Sequence, residues 1–577
     1  MARELPRAFL PSAPSGVFLR ALRWIGLLLP SLTMAATLEP ARLAALTNRL
    51  ATVIAGEQRD WQIGGIAIAL VHDQEILWSA GFGEARADSV FRCGSISKLF
   101  TAVGVMQQVE AGRLDLDAPL ERYLPGILPV NPFTNSGPVT LRQVLCHRSG
   151  MVREAPVGGY LDGDEPSLEA TLASLAGCVL ATPPKAKTRY SNVGPSLAGQ
   201  AVARVSGKSF VQYQKDHLFR PLGLTNSAWL RRDVPPGRLL PSGLRVADGR
   251  GGFVREVTPV FDLGTIPAGN LFTTVGDLGR FIAMLAAGGR APDGSRVLRA
   301  ESLATMFTPQ LTADTNGFGL GFSVSRYRGQ LAVSHNGAVY GHASSLVFLP
   351  DSKFGVAVMG NEDIVNARIQ RIANLALDLL LATRGVDLPA PPVPVTLTPG
   401  AVAELAGDFE SASYWAQLEL RDGVLAGNLS GQPARFTPVG PRRFLVDSRM
   451  HDAMVAEFTV DSRGRATAFQ LGPQVFHRVP DRPPVVPAEW MRYAGSYGPR
   501  FIPLVISARH GHLYAMTENM VDYRLTPVNR HVFELPPGMY VNEYLVFLAD
   551  QDGRPVAASL AGMVLPRHPG PPPAASR

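Results

Sequence analysis

The sequence contains few cysteines and few charged residues for its length. Only three of its 577 residues are cysteine, namely Cys93, Cys146 and Cys178. An odd, widely spaced set of this kind forms neither a disulfide framework nor a zinc-binding pattern. Charged residues make up 18% of the chain, against about 25% in a typical soluble domain. We therefore expect free thiols, and neither a metal site nor a cofactor.

Motifs of several other enzyme classes are also missing. The chain has no Gly-x-Ser-x-Gly nucleophile elbow, no His-Glu-x-x-His zinc motif and no phosphate-binding loop. The formal net charge is +7, and it falls to +4 without the four arginines and one glutamate of residues 1–36. No basic run carries interleaved aromatic residues. Nucleic acid is therefore excluded as an expected partner.

The first 36 residues have the organisation of a secretory signal peptide. Four arginines lead into the uncharged stretch WIGLLLPSLTMAA (residues 24–36), which ends in small residues. About 20 apolar residues are needed to span a bilayer, and this run is shorter. We expect an exported protein, periplasmic or secreted, without a stable membrane span. The alternative is an uncleaved membrane anchor.

Strand patterns lie at both ends of residues 37–388, with helical patterns between them. A β-hairpin is predicted in Gly64–Arg86, and a helix opens at Ser95. Short strands return after residue 316, followed by a long amphipathic helix from Asp363. This order predicts an α+β domain in which one antiparallel sheet is flanked by helices.

The rest of the chain consists of two similar segments separated by proline-rich joins. Residues 389–400 form the first linker. Leu405-Ala406-Gly407-Asp408-Phe409 matches Tyr493-Ala494-Gly495-Ser496-Tyr497 at an offset of 88, and Thr437-Pro438-Val439 matches Thr526-Pro527-Val528 at 89. This near-constant offset indicates an internal duplication. Each copy, at 401–480 and 485–567, is predicted to be a small antiparallel, lipocalin-like β-barrel, and residues 568–577 a disordered tail.

Ser95 and Lys98 lie three residues apart at the start of a predicted helix, and therefore on one helix face. A serine hydroxyl is a weak nucleophile and needs a base nearby. Apolar neighbours such as Leu99 and Phe100 lower the pKa of a lysine, which can then accept the serine proton. The alternative is a helix-capping serine followed by a surface lysine. The Ser-x-x-Lys tetrad alone does not decide between them.

Two further segments, taken with this tetrad, resemble the motif set of the serine β-lactamase and penicillin-binding-protein superfamily. Tyr190-Ser191-Asn192 supplies a phenol and an amide, and His335-Asn336-Gly337 falls on a predicted strand. The stretch TLRQVLCHRSGM is similar to the Leu-x-His-x-Ser-Gly segment of that family. The resemblance extends over about residues 41–385. It implies a β-lactamase/transpeptidase-like catalytic domain.

The resemblance implies a role for each matching residue. Ser95 would be the acylated nucleophile and Lys98 its proton acceptor. Tyr190 would relay the proton to the leaving group, while Asn192 would hold Lys98 and the substrate. The backbone N–H groups of Ser95 and Ala338 would form the oxyanion hole.

His335 stands where penicillin-recognising members usually carry Lys-Thr-Gly, whose lysine grips the substrate carboxylate. A histidine is mostly neutral at pH 7. His-x-Gly, with two C-terminal β-domains and a cysteine just ahead of the nucleophile, resembles D-stereospecific aminopeptidases. The resemblance implies a catalytic His335 and substrate contacts from Asn336 and Gly337. It also implies an acid from the last domain for the substrate amine. Glu543 is the candidate, although a strand position fits it equally well.

We therefore expect a serine hydrolase that works through a Ser95 acyl-enzyme, as an amidase or D-aminopeptidase on small peptides. Amides, esters and cell-wall fragments are the expected partners. An esterase, or a weak β-lactamase or DD-carboxypeptidase, is the alternative enzyme. A non-catalytic sensor or cell-wall-binding protein is the alternative of another class. His147 and His342 are expected to be structural, and Cys93 to pack beside the helix start.

Overall fold

The structure is a computed structural model that describes residues 38–247, 253–538, 540, 541 and 543–569. The predicted signal peptide, residues 1–36, and residues 570–577 of the predicted tail lie outside this part of the chain. Within it, no helix is both long enough and apolar enough to cross a bilayer.

The predicted antiparallel sheet is present and has seven strands. In spatial order they are β2 (Glu75–Gly83), β1 (Gly65–His72), β11 (Phe354–Gly360), β10 (His342–Leu349), β9 (Gln330–Val339), β8 (Ser323–Tyr327) and β7 (Gly317–Phe318). Strands β1, β10 and β11 are buried along their whole length. Strands from both ends of the segment therefore meet in one sheet, as the sequence predicts. Two short pairs stand apart from it: β3 (Phe91–Arg92) with β6 (Phe272–Thr273), and β4 (Gly243–Ala247) with β5 (Phe253–Val257).

The α-helices of this region are α1 (Pro40–Trp61), α2 (Ser97–Glu110), α3 (Leu141–Leu145), α4 (Leu168–Ala173), α5 (Val193–Ser206), α6 (Phe210–Gln214), α7 (Arg220–Leu222), α8 (Ile266–Gly269), α9 (Val275–Ala286), α10 (Ala300–Met306) and α11 (Asn366–Ala382). Two glycines of β11 show that helices cover both faces of the sheet. A Cβ on Gly355 would lie 2.3 Å from Ile282 of α9, and one on Gly360 would lie 2.9 Å from Ile369 of α11. These glycines are five residues apart, so they face opposite sides of the strand.

Two predicted helix starts are shifted. The α-helix expected from Ser95 begins at Ser97, because Gly94–Ile96 forms a 3₁₀ turn before it. The helix expected from Asp363 begins at Asn366. In the first case the shift matters, since it puts Ser95 on a tight turn ahead of a buried helix.

The first C-terminal segment is a closed eight-stranded antiparallel barrel, as predicted, preceded by α12 (Pro399–Ala403). Its strands are β12 (Gly407–Glu410), β13 (Trp415–Arg421), β14 (Val424–Leu429), β15 (Gln432–Gly440), β16 (Arg443–Ser448), β17 (Met454–Val460), β18 (Ala466–Leu471) and β19 (Gln474–Arg478). Pairing of Phe409 with Arg478 closes it. Buried phenylalanines occupy its core: Phe409, Phe436, Phe444, Phe458, Phe469 and Phe476.

The second segment, which follows α13 (Ala488–Met491), differs from the predicted barrel. It forms a four-stranded sheet, β20 (Gly495–Tyr497), β21 (Leu504–Arg509), β22 (His512–Met516) and β23 (Asp522–Arg524). A five-stranded sheet follows, β24 (Thr526–Pro527), β25 (Val532–Glu534), β26 (Tyr544–Ala549), β27 (Pro555–Leu560) and β28 (Met563–Pro566). The ladder breaks at Leu525, and an isolated bridge between Tyr497 and Arg567 joins the outer edges. The prediction of a second barrel is therefore corrected to two sheets around one core, called here the terminal β-unit (residues 488–567).

The internal duplication is visible in three dimensions. Gly407 and Gly495 have φ values of +146° and +147°. Next to them, Arg478 donates to the carbonyl of Ala406 at 2.8 Å, and Arg567 donates to that of Ala494 at 2.9 Å. The two segments thus share the same arrangement of a glycine beside an arginine–carbonyl hydrogen bond, which supports a common origin.

Candidate active site

Ser95 and Lys98 meet at the start of α2. Lys98 is buried in the helix, and its Nζ lies 2.9 Å from the Oγ of Ser95. Burial lowers the pKa of Lys98, while Tyr190 and Glu154 oppose that shift. The amine also lies 2.8 Å from the Oδ1 of Asn192 and 2.7 Å from the carbonyl oxygen of Ala268. Three oxygens thus hold the Nζ of Lys98 in place, and burial shifts the amine toward its neutral, proton-accepting form.

Tyr190 and Asn192 approach the same pair from the segment that leads into α5. The Tyr190 hydroxyl donates to the Oγ of Ser95 at 2.8 Å. Asn192 precedes the first residue of α5, and its backbone N–H donates to the carbonyl of Arg153 at 2.8 Å. Four predicted site residues, Ser95, Lys98, Tyr190 and Asn192, thus form one hydrogen-bonded cluster.

The turn that carries Ser95 packs directly against β9. A Cβ on Gly94 would lie 2.8 Å from the backbone nitrogen of Ala338, and one on Gly337 would lie 1.9 Å from the carbonyl oxygen of Cys93. Ser95 and Ala338 both line the cavity in front of the nucleophile. Two glycines therefore allow the backbones of the two predicted oxyanion-hole residues to come close together.

His335 lies on β9, lines the same cavity and is buried. Its Nδ1 is 2.6 Å from the carbonyl oxygen of Asn336. Its Nε2 is buried and has no hydrogen-bond partner among the described residues. Burial and, to a lesser extent, the nearby Lys98 together lower the pKa of His335 to about 4, while the hydrogen bond to Asn336 opposes the shift. The imidazole is thus neutral near pH 7, so β9 offers no fixed positive charge here.

His147, His342 and Cys93 are not part of the cavity lining. His147 stacks on Tyr190 with ring centroids 4.2 Å apart and accepts from the backbone N–H of Ser191. His342 packs edge-on against Phe91, and burial lowers its pKa to about 3. Cys93 is fully buried, and burial raises the pKa of its thiol to about 12. These positions fit the structural roles expected from the sequence.

Glu543 is not among the residues that line the cavity. Its carboxylate forms an ion pair with Arg189 at 2.5 Å, and both side chains are buried. The stretch of the terminal β-unit in which the sequence predicted an amine-binding acid does reach the site. It does so through Tyr540, whose ring lies 5.2 Å from the guanidinium carbon of Arg153.

Sequence reasoning missed Arg153, Glu154 and Tyr540. Glu154 accepts a 2.6 Å hydrogen bond from the Nδ2 of Asn192, and burial raises the pKa of its carboxyl to about 7. Arg153 lines the cavity, which has a volume of about 370 Å³. The only signal in the sequence is that residues 153 and 154 closely follow the segment TLRQVLCHRSGM.

A buried lysine, a tyrosine and a serine arranged in this way beside strand β9 of an antiparallel sheet define a serine hydrolase. The chain belongs to the Beta-lactamase family, whose model matches residues 50–380. It is 32% identical over 333 residues to penicillin-binding protein 4 of Amycolatopsis lactamdurans, covering 56% of this chain and 85% of that protein. It is 28% identical over 230 residues to the D-alanyl-D-alanine-carboxypeptidase/endopeptidase AmpH of Escherichia coli, covering 38% of this chain and 56% of that protein.

Solved structures show the same fold. An octameric penicillin-binding protein homologue from Pyrococcus abyssi superposes with a TM-score of 0.53 at 22% identity, covering 74% of this chain and 99% of that one. Apart from the Amycolatopsis protein, the curated relatives are matched over 43% to 64% of their own length.

Proposed function

We propose that this hydrolase cleaves small amides or peptides through an acyl-enzyme on Ser95. The observation that carries the proposal is the position of the Ser95 Oγ, 2.9 Å from the Lys98 amine and 2.8 Å from the Tyr190 hydroxyl. A nucleophile needs a base within hydrogen-bond reach, and a leaving amine needs an acid. Both groups are present on either side of one hydroxyl.

In the acylation step, the Ser95 Oγ attacks the carbonyl carbon while its proton passes to neutral Lys98. The carbonyl oxygen becomes an oxyanion, which the backbone N–H groups of Ser95 and Ala338 stabilise. The carbon–nitrogen bond then breaks, and the leaving nitrogen takes a proton from the Tyr190 hydroxyl, which is reprotonated by Lys98. Water attacks the acyl-enzyme, releases the carboxylic acid and returns the proton to Ser95.

We propose that the acyl part of the substrate carries no free amine. Among the described residues, no aspartate or glutamate lines the cavity. An ammonium group buried there would lack a counter-charge, which is costly. An amidase or peptidase acting on blocked substrates therefore fits the cavity better than the aminopeptidase that the sequence suggested. The similarity to AmpH, a carboxypeptidase and endopeptidase, supports hydrolysis of an amide bond.

We also propose that the protein acts outside the cytoplasm, on cell-wall fragments or similar peptides. The basic lead and short apolar run of residues 1–36 support export.

Release of p-nitroaniline from N-acetyl-D-alanine p-nitroanilide and from D-alanine p-nitroanilide tests the proposal. We expect faster turnover of the acetylated compound, and a loss of about 10³-fold or more in Ser95→Ala. Preference for the free amine would contradict the blocked-substrate proposal. Labelling by a fluorophosphonate that persists in Ser95→Ala would contradict an acyl-enzyme on Ser95, and absence of labelling in the wild type would favour the non-catalytic alternative.

A further inference from the structure

One fixed positive charge faces the cavity, and it belongs to Arg153. Among the described residues, Arg153 is the only Arg, Lys, Asp or Glu in the lining. Its side chain is 13% exposed. His335, which stands where penicillin-recognising members are expected to carry a lysine, has a pKa lowered by burial and is neutral near pH 7. The cation of this cavity therefore comes from the segment that follows residue 150 and not from β9.

The guanidinium is held between two aromatic rings. Its carbon lies 5.2 Å from the centroid of Tyr190 and 5.2 Å from that of Tyr540. The Tyr540 hydroxyl is itself fixed by a 2.7 Å hydrogen bond to Glu518. The backbone at Arg153 is fixed as well: its carbonyl accepts from the N–H of Asn192 at 2.8 Å, and the N–H of the next residue, Glu154, donates to the carbonyl of Ala561 at 3.1 Å. Arg153 is thus preorganised by the catalytic region and by the terminal β-unit together.

Three buried carboxylates lie near Arg153, those of Glu154, Glu518 and Glu543, and Glu543 accepts from the backbone N–H of Arg153 rather than from the guanidinium. Glu154 Oε1 lies 3.7 Å from its Nε, beyond hydrogen-bond distance, and instead accepts from Asn192. Glu518 is engaged by Tyr540. Burial raises the pKa of both Glu154 and Glu518. The Nε–H of Arg153 is buried and has no hydrogen-bond acceptor in the described part of the chain. The guanidinium thus makes no direct hydrogen bond to these carboxylates among the described residues, and its side chain keeps some exposure at the cavity.

We infer that Arg153 binds an anionic group of the substrate, so that the enzyme acts on small amides or peptides that carry a carboxylate near the scissile bond. A guanidinium presents parallel N–H donors that match a carboxylate in size and spacing. The inference rests on the proposed function, because it assumes that substrates react at Ser95. It assigns the choice of substrate to a residue outside the family motifs.

Boronic acids test this without knowledge of the substrate, because the boron atom bonds reversibly to the oxygen of a nucleophilic serine. We would measure how 3- and 4-carboxyphenylboronic acids compete with a fluorescent fluorophosphonate for Ser95, each against its methyl ester. In the wild type, the better of the two carboxylates should bind on the order of tenfold more tightly than its ester. An ester that binds as tightly as its acid in both pairs would overturn the inference.

Two variants identify the cation. In Arg153→Gln the ratio between acid and ester should fall to about one, and in Arg153→Lys it should take an intermediate value because the planar fork is lost. Arg122, a surface arginine also near a tyrosine, gives a matched control in Arg122→Gln, which should keep the wild-type ratio. A carboxylate preference that survives in Arg153→Gln, or an equal loss of acid and ester affinity, would overturn the assignment. Absence of fluorophosphonate labelling at Ser95 would instead contradict the proposed function.

Discussion

At the scale of single residues, the site depends on how the proton affinity of Lys98 is set. Burial removes water from the amine and lowers its pKa, while the negative charge of Glu154 raises it. Glu154 reaches Lys98 through Asn192, because it accepts a 2.6 Å hydrogen bond from the Nδ2 of Asn192, whose Oδ1 contacts Lys98. Glu154 is therefore a positioning residue that also adjusts the charge of the base.

Glu154→Gln should shift the acidic limb of the kcat/KM profile to lower pH. The amide keeps an oxygen that can accept from Asn192, but it removes the charge that stabilises the Lys98 ammonium, so Lys98 is neutral over a wider range. A pH–rate series on both proteins measures this. A limb that does not move, or that moves to higher pH, would contradict the role of Glu154.

The same variant should change the pH dependence of stability. The pKa of Glu154 is raised in the folded state to about 7 from an ordinary value of 4.5. Its contribution to stability is therefore complete below pH 4.5 and is lost as pH rises through 7. Between pH 4.5 and 8, the free energy of unfolding should therefore decrease in the wild type by roughly 2–3 kcal/mol more than it does in Glu154→Gln. Urea titrations at the two pH values measure it.

At the scale of elements, the site is a contact between the Gly94–Ile96 turn and β9. The 3₁₀ turn carries the nucleophile and the strand carries Ala338, and they approach so closely that no side chain fits between them. A Cβ on Gly337 would lie only 1.9 Å from the carbonyl oxygen of Cys93 and 2.3 Å from the Oγ of Ser344, so no side chain fits at this position.

Gly337→Ala should therefore separate the turn from β9 and weaken the oxyanion hole. We expect a loss of about 10²-fold in kcat and of about 1–3 kcal/mol in the free energy of unfolding from overpacking. Gly56→Ala is the matched control, because Gly56 lies inside α1 and its Cβ would meet only Arg59, at 3.8 Å. That change should raise stability by up to about 1 kcal/mol. Wild-type kcat in Gly337→Ala would contradict the contact.

At the scale of the whole molecule, the terminal β-unit packs against the catalytic region and shares a hydrophobic core with it. Its hydrophobic core includes Leu263, Val339 and Tyr340 from the region around the cavity. Tyr540 reaches Arg153, and Glu543 pairs with Arg189 just before Tyr190. The unit thus supports the substrate cavity from outside the family-matched residues 50–380.

Glu543→Gln should destabilise the protein by about 3 kcal/mol, because it breaks a buried ion pair. Glu534→Gln, in an exposed acid of the same stretch, should change stability by less than about 0.5 kcal/mol. Urea denaturation measures both. Unchanged stability in Glu543→Gln, with a raised KM for free-amine substrates alone, would return Glu543 to the substrate-binding role that the sequence suggested.

Local patterns were sufficient to predict much of this fold. Strand alternation predicted the hairpin of β1 and β2, and motif resemblance brought Ser95, Lys98, Tyr190 and Asn192 into one cluster. The helix start and the second barrel were predicted less well. The 3₁₀ turn depends on packing of Gly94 against β9, and barrel closure depends on whether strands remain paired at Leu525. Arg153 and Tyr540 are separated by 387 positions, and no local pattern reports their contact.

The rate at which a fluorophosphonate labels Ser95 tests the central claim most directly, namely that Lys98 activates this serine. Stopped reactions analysed by intact mass would give the rate for the wild type, Lys98→Met and Ser95→Ala. The account predicts one adduct per chain on Ser95, about 10²-fold or more slower formation in Lys98→Met, and none in Ser95→Ala. Labelling of Ser95 at the wild-type rate in Lys98→Met would contradict it.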